Sequence, residues 1–389
     1  MASPQARHWR SAADALAMLR RRQAMTRTEL AGALGLRSGP ASDLVKRLTR
    51  AGLLSERPAA QQGPGRPTTT LHGHPDGPVA VVLDLRHGDW RLGVCDAAGA
   101  IEVREADRHD GSDPEALLAT LGRKVGSLAG TLGDRAVGVG VAIPGLALDG
   151  RLTVTMLDWR EVDGAALISA VDVPVLIGND ATMAAVAEAR WHPGDSATLL
   201  HIVVEVGVGG AFVTDGRPAP SAHGMHGEFG HLPFGDSGTV CPCGAYGCWN
   251  TPFDVLEIAR RTGLRPGSDP RAWLHRLYAN PDESPTVGEV VTFLAAELGR
   301  GIAGLVNALD PGLVTLGGLA EPLRQAFPET FAHAFDRGLM TSHRSRAPRI
   351  VPAEAGQEAT LVGAGLQIFD RVLDAELLAR WAARGSRNR

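Results

Sequence analysis

The sequence has no run of 18 or more apolar residues, so no segment of it can cross a bilayer as a helix. Its first residues, MASPQARHWR, lack the apolar centre of a secretion signal, and a cytoplasmic location is the expectation. Cysteine is scarce: four in 389 residues, too few for a disulfide framework. Three of them, Cys241, Cys243 and Cys248, crowd together, which argues for a metal instead. Positive charge is short beyond the N-terminus. Residues 67–389 hold 27 Lys and Arg against 39 Asp and Glu, whereas residues 1–66 hold 12 against 4. A basic head favours a polyanionic partner and an acidic body does not. The rest is ordinary for a globular chain, with 44% apolar and 21% charged residues. The length suits two or three domains at roughly 150 residues each.

The basic head has helical spacing. Ala12, Leu16 and Leu19 share a face in SAADALAMLRRR. Thr26 and Glu29 fit a capping box that opens a second helix through Leu34. Ser38 is placed to cap a third helix to about Ala51, which Gly52 then ends in left-handed backbone. Helix, Gly-containing turn, helix is the helix-turn-helix layout. The third helix turns Ser38, Ser42, Asp43, Lys46, Arg47 and Arg50 outward, where polar and basic groups reach base edges and phosphates in a major groove. LLSERP and TTTLHGH around a Gly/Pro-rich tip read as a wing, with Arg66 of Gly65-Arg66-Pro67 aimed at a minor groove.

From Val79 the pattern becomes one of apolar strands and Gly-rich turns: VAVVLDL, DWRLGVCD, AVGVGVAIPG, then VPVLIGND. Helices are expected over 113–130, in ATMAAVAEAR, over 287–309 and from about Thr360 to Arg384, with a hairpin in ATLLHIVVEVGVGGAFVTDG and a buried strand in GLVTLGG. The class is α/β, with helices packed on sheets. Cys95 falls in a strand and reads as a small buried hydrophobe.

TRTELAGALGL, GRP, VAIPG, IGNDATMAAVAE, VGVGGAFVTDG, HGEFGHLPFG, CPCGAYGC and DPGLVTLGG, in this order, resemble the ROK family (repressor, open reading frame, kinase), in its winged-helix repressor branch. The resemblance covers nearly the whole chain. It implies a winged helix-turn-helix domain over 1–74, followed by a two-lobed actin-like ATPase fold. The first α/β lobe is expected over 78–182, completed by a C-terminal helix in 365–389, and the second over 183–364 with a metal site.

His231, Cys241, Cys243 and Cys248 are spaced H-x9-C-x-C-x4-C, and three thiolates with one imidazole suit tetrahedral zinc with no open position. The resemblance names the same four as structural zinc ligands. It also carries Asn179, Asp180, Glu228 and His231 onto a sugar site in a cleft between lobes. Asn179-Asp180 falls between a strand and a helix, where open α/β sheets place ligands. In kinase members the position of Asp180 is the base that takes the sugar hydroxyl proton. Gly145 of VAIPG is expected to let backbone approach the ligand. Two positions depart from the family pattern: Asn250 stands where Glu is usual, and Thr155 where Asn is frequent, before Trp159.

The phosphate-binding turns depart further. Active members carry D-x-G-G-T; here the turn is Asp84-Leu85-Arg86-His87-Gly88-Asp89. Where G-T-G-x-G-G is usual, the chain has Glu205-Val206-Gly207-Val208-Gly209-Gly210. Bulk and negative charge disfavour phosphate at both turns. The expectation is therefore a DNA-binding regulator and not an enzyme. It would be a cytoplasmic homodimer or dimer of dimers whose repression of an operator is relieved by a carbohydrate. The alternatives are a sugar kinase with a fused DNA-binding head and a ligand-independent DNA-binding regulator.

Overall fold

The structure is a computed structural model that describes residues 4–22, 25–58, 69–192, 197–222, 227–267 and 269–385. The N-terminal part runs α1 (Pro4–Arg20), β1 (Met25–Thr26), α2 (Arg27–Ala33), α3 (Ser38–Arg50), β2 (Leu54–Pro58) and β3 (Thr69–Gly73). Thr26 accepts a hydrogen bond from the Glu29 backbone N–H while the Glu29 carboxylate accepts from the Thr26 N–H, the reciprocal cap that T-x-x-E predicts. Gly52 follows α3 at φ +67°, a backbone region where only glycine is unstrained. Ser38 does not cap α3. Arg37 holds the N-cap position without a side-chain bond, and Ser38 is the first helical residue. The three strands pair antiparallel in the order β1-β3-β2. Arg66 lies outside the described residues.

The chain continues with β4 (Val79–Leu85), β5 (Asp89–Asp96), β6 (Ile101–Arg108), α4 (Pro114–Leu132), β7 (Ala136–Ile143), β8 (Leu146–Leu148), β9 (Arg151–Val154), β10 (Trp159–Asp163), α5 (Ala165–Ile168), β11 (Val175–Asn179) and α6 (Asp180–Glu188). Five strands form a sheet in the order β11-β7-β4-β5-β6, with β11, β7 and β4 parallel and the rest antiparallel. All seven residues of β4 are buried, as a central strand covered on both faces requires.

A second sheet repeats the pattern. It is built from β12 (Thr198–Val204), β13 (Val208–Thr214), β14 (Arg217–Pro218), β15 (Leu313–Gly318) and β16 (Arg349–Pro352), in the order β14-β13-β12-β15-β16. β12 runs parallel to β15, and β15 to β16, while β13 pairs antiparallel on both sides. Its helices are α7 (Val255–Thr262), α8 (Pro270–Ala279), α9 (Pro285–Leu309), α10 (Ala320–Ala326), α11 (Pro328–Gly338) and α12 (Thr341–Arg344). The chain then ends in α13 (Ala359–Val372) and α14 (Ala375–Gly385), two helices where the sequence suggested one.

The chain divides into two units, 1–193 with 355–389, and 194–354. The expected second lobe, 183–364, was too wide. α6 packs along α13, and Gly363 lies so close to Met183 that a Cβ there would meet its carbonyl oxygen at 1.8 Å. Both helices therefore belong with the first unit. The N-terminal part does not form a compact unit of its own either. Its core residues Leu16, Leu19, Leu48 and Leu54 are continuous with Ile368, Phe369 and Leu378 of the last two helices. Among the described residues no helix is long and apolar enough to cross a membrane.

Candidate functional site

In the second unit, His231 ends a short 3-10 turn over Phe229–His231, and the three cysteines sit on a loop bent at Gly244 and Gly247. The Cys241 Sγ lies 3.7 Å from His231 Nδ1, the Cys243 Sγ lies 3.7 Å from the Cys248 Sγ, and all four ligand atoms fall within 4.8 Å of one another. A tetrahedron with metal–sulfur arms of about 2.3 Å has edges of about 3.8 Å, so the four side chains could hold one ion. Burial pushes the Cys241 thiol up and the Cys248 thiol up to about 12. A bound cation would offset that by taking the thiolates.

The other ring nitrogen of His231, Nε2, faces the Glu228 carboxylate at 3.8 Å. Burial raises the Glu228 pKa, and His231 opposes it. One imidazole thus has a nitrogen toward the metal quartet and a nitrogen toward a ligand candidate. Trp249, next to Cys248, anchors the loop. Its side chain is fully buried, its Nε1–H donates to the Glu297 carbonyl at 3.1 Å, and its ring fills a notch at Gly301 where a Cβ would come within 2.1 Å.

In the first unit, Asn179 is the N-cap of α6. Its Oδ1 accepts from the Thr182 N–H at 3.0 Å, and its Nδ2 donates to the Gly145 carbonyl at 3.3 Å. The cap is thus Asn179 and not Asp180, which is the first helical residue; the Asp180 Oδ1 accepts from the Ala181 N–H. Gly145 meets the backbone rather than an open space, since a Cβ on it would lie 2.2 Å from the Thr153 carbonyl oxygen. Asn179 and Gly145 are joined directly, as are Glu228 and His231.

The two phosphate-turn positions are filled by the chain's own side chains. Asp84 is 1% exposed, and Arg91 stands directly opposite it in the β4–β5 register. Arg86 and Arg91 both donate to Asp84 Oδ2, at 2.8 and 2.9 Å, and both also reach the Gln357 carbonyl. In the second unit, Asn250 Oδ1 accepts the Val208 N–H at 2.6 Å, and Glu205 pairs with Arg271. Neither the arginine clamp nor the role of Asn250 was legible from motif spacing. The cross-strand register of β4 and β5 is the signal that could have found the clamp.

On α3, Ser38, Asp43, Lys46 and Arg50 are exposed, and Ser42 is half-buried. Arg47 turns inward instead: its Nη2 donates to the Ser11 hydroxyl at 3.0 Å, and its guanidinium lies 5.6 Å from the Trp9 ring centroid. Arg37, just before α3, is exposed on the same approach and was missed because it precedes the helix.

A family model described as the ROK family matches residues 82–370. The N-acetylgalactosamine kinase AgaK of Shewanella sp. (strain ANA-3) is 30% identical over 309 residues, which span 73% of this chain and 96% of that protein. The xylose repressor of Caldicellulosiruptor bescii is 25% identical over 328 residues, 78% of this chain and 82% of that protein. Among solved structures, one described as a ROK family transcriptional regulator, homologue of the E. coli MLC protein, superposes with a TM-score of 0.69 at 23% identity, covering 92% of this chain and 95% of that one.

Proposed function

The chain belongs to the ROK family, with its actin-like ATPase fold of mixed α/β content, and from that premise we propose that it is a DNA-binding transcription regulator whose family domain senses a carbohydrate and transfers no phosphate. The observation that carries this reading is the basic N-terminal part joined to the family domain, with Lys46 and Arg50 exposed on α3. The coverages agree with it. The kinase matches 73% of this chain, while the regulator structure spans 92%.

In this reading residues 4–73 form a winged helix-turn-helix head. Lys46 and Arg50 contact phosphates and supply affinity; Ser38, Ser42 and Asp43 face base edges and supply sequence choice. Arg47 acts from behind, holding α3 to α1. Arg66 enters the minor groove. Two heads in a homodimer would read half-sites about 34 Å apart or a multiple of that. His231, Cys241, Cys243 and Cys248 hold a structural zinc that fixes the Glu228–His231 pair. The ligand residues are Asn179, Asp180 and Gly145 in the first unit, and Glu228 and His231 in the second.

Phosphoryl transfer needs a free carboxylate for the metal and free backbone amides for the phosphates. One oxygen of the Asp84 carboxylate, Oδ2, is taken by two guanidiniums, and the Val208 amide by Asn250. Both features favour sensing over catalysis. The second reading, a sugar kinase with a fused DNA-binding head, draws on the 30% identity to an N-acetylgalactosamine kinase.

One experiment separates the readings. Duplexes are selected from a random pool on the purified chain, and ATP turnover is measured with a panel of sugars and amino sugars. Retained duplexes with no turnover are expected. Sugar phosphorylation without duplex affinity would overturn the proposal.

A further inference from the structure

The end of α1 and the end of α3 are both fastened to the last two helices of the chain. The Arg20 side chain, on α1, is 3% exposed and donates from Nη2 to Asp370 Oδ1 on α13 at 2.9 Å. Its guanidinium lies over the Phe369 ring, 5.7 Å from the centroid. Its Nε and Nη1 are buried and have no hydrogen-bond partner among the described residues. The Trp381 Nε1–H, on α14, donates to the Ala51 carbonyl at 3.0 Å, and Ala51 is the residue that ends α3. α1 packs along α14 between these two points.

We propose that Arg20, Asp370 and Trp381 are positioning residues for α3, forming a polar joint through which the head docks on, and releases from, α13 and α14. The inference rests on the reading of residues 4–73 as a DNA-binding head. The physical reason is the chemistry of the joint. Arg20 leaves water while Asp370 keeps about a quarter of its side chain exposed, and a pair of that kind gains little over apolar packing. Arg20 also has two buried donors with no partner among the described residues, and undocking returns them to solvent. The apolar core that α1 shares with the last helices pulls the other way. A joint made of opposed terms has two accessible states; a purely apolar one would have a single deep minimum. The docked state fixes α3 for DNA, so undocking lowers the binding-competent fraction and the apparent affinity with it. α13 also lies along α6, which begins at Asp180, so a ligand at that residue is one helix from Asp370.

The test uses the full chain and no carbohydrate. Arg20→Met combined with Asp370→Leu replaces the ion pair by apolar volume and should lock the joint. Trp381→Phe removes only the bond to Ala51 and should loosen it. Hydrogen exchange over α1 and α3 is measured beside affinity for a duplex that the unaltered chain selects from a random pool. The double variant should slow exchange in both helices and tighten duplex binding by about fivefold or more, and Trp381→Phe should weaken binding by a similar factor. The slope of affinity against salt should stay the same in both, because no phosphate contact is lost. Unchanged exchange and affinity in both variants overturn the joint. If the double variant does not fold, Trp381→Phe decides alone by the same readouts. If the unaltered chain retains no duplex, the reading of the head has failed, and exchange in the two variants still upholds or overturns the joint.

Discussion

The N-terminal part and the metal-ligand loop are both small pieces fastened to a larger body, and they are fastened by opposite means. The first is tied at its edges by a half-buried ion pair and one indole bond, Arg20 to Asp370 and Trp381 to Ala51. The second is tied by an aromatic wedge. Trp249 sits edge-on to Phe234 and Phe253 at centroid distances of 6.0 and 6.2 Å, in a notch only glycine can form at position 301. A wedge of that kind has one fit, because displacing the ring opens a cavity and exposes a large apolar surface. A polar joint can trade its partners for water. A quartet that must hold one ion within a fraction of an ångström suits the wedge, and a part that must be re-aimed suits the joint.

The contrast can be broken at four places. The largest effect is expected from removing the metal, since structural zinc sites in small peptides are worth about 10 kcal/mol or more. Chelation or Cys248→Ser should abolish bound zinc by elemental analysis, lower Tm and shift tryptophan emission to the red as Trp249 is exposed. Full metal retention in Cys248→Ser would remove that cysteine from the quartet. Next, Trp249→Ala should cost about 3–5 kcal/mol in chemical denaturation and reduce metal affinity with it. A loss under 1 kcal/mol would mean that the wedge is not what holds the loop.

Third, Arg20→Ala should cost about 1–3 kcal/mol, because it removes a buried guanidinium together with its bond to Asp370 and its packing on Phe369. Arg20→Met with Asp370→Leu should be near neutral. Equal losses in the single and double variants would make the joint an ordinary stabilising contact. The smallest effect on stability is expected on α3. Lys46→Ala or Arg50→Ala should move stability by less than about 0.5 kcal/mol, yet reduce the salt slope of duplex binding by about one. An unchanged slope would take that residue off the phosphate backbone.

How much was legible varies with the range of the interaction. The Thr26–Glu29 cap and the left-handed Gly52 exit follow from neighbours a few positions apart, and the sequence predicts both. The His/Cys cluster that could hold a metal was readable because its four residues lie within 18 positions and carry unusual chemistry. The inward turn of Arg47 was not. It depends on Trp9 and Ser11, which are brought beside it only by the packing of α1 on α3. The limits of the second unit failed for a similar reason, since the placement of α6 is decided by Gly363, far along the chain. Local motif reading did not show that the missing side chain of Gly145 makes room for the Thr153 carbonyl.

The charge division between head and body, the main apolar strands and long helices, and a His/Cys quartet spaced for a soft-ligand metal were written in the sequence alone, because each rests on periodicity, composition or short spacing. Which arginine faces outward, which carboxylate is spent on an ion pair and what anchors the head were decided by tertiary packing. Those outcomes depend on which side chains packing brings together, from Asp84 and Arg91 on paired strands to Arg20 and Asp370 at opposite ends of the chain, and no motif records such a meeting.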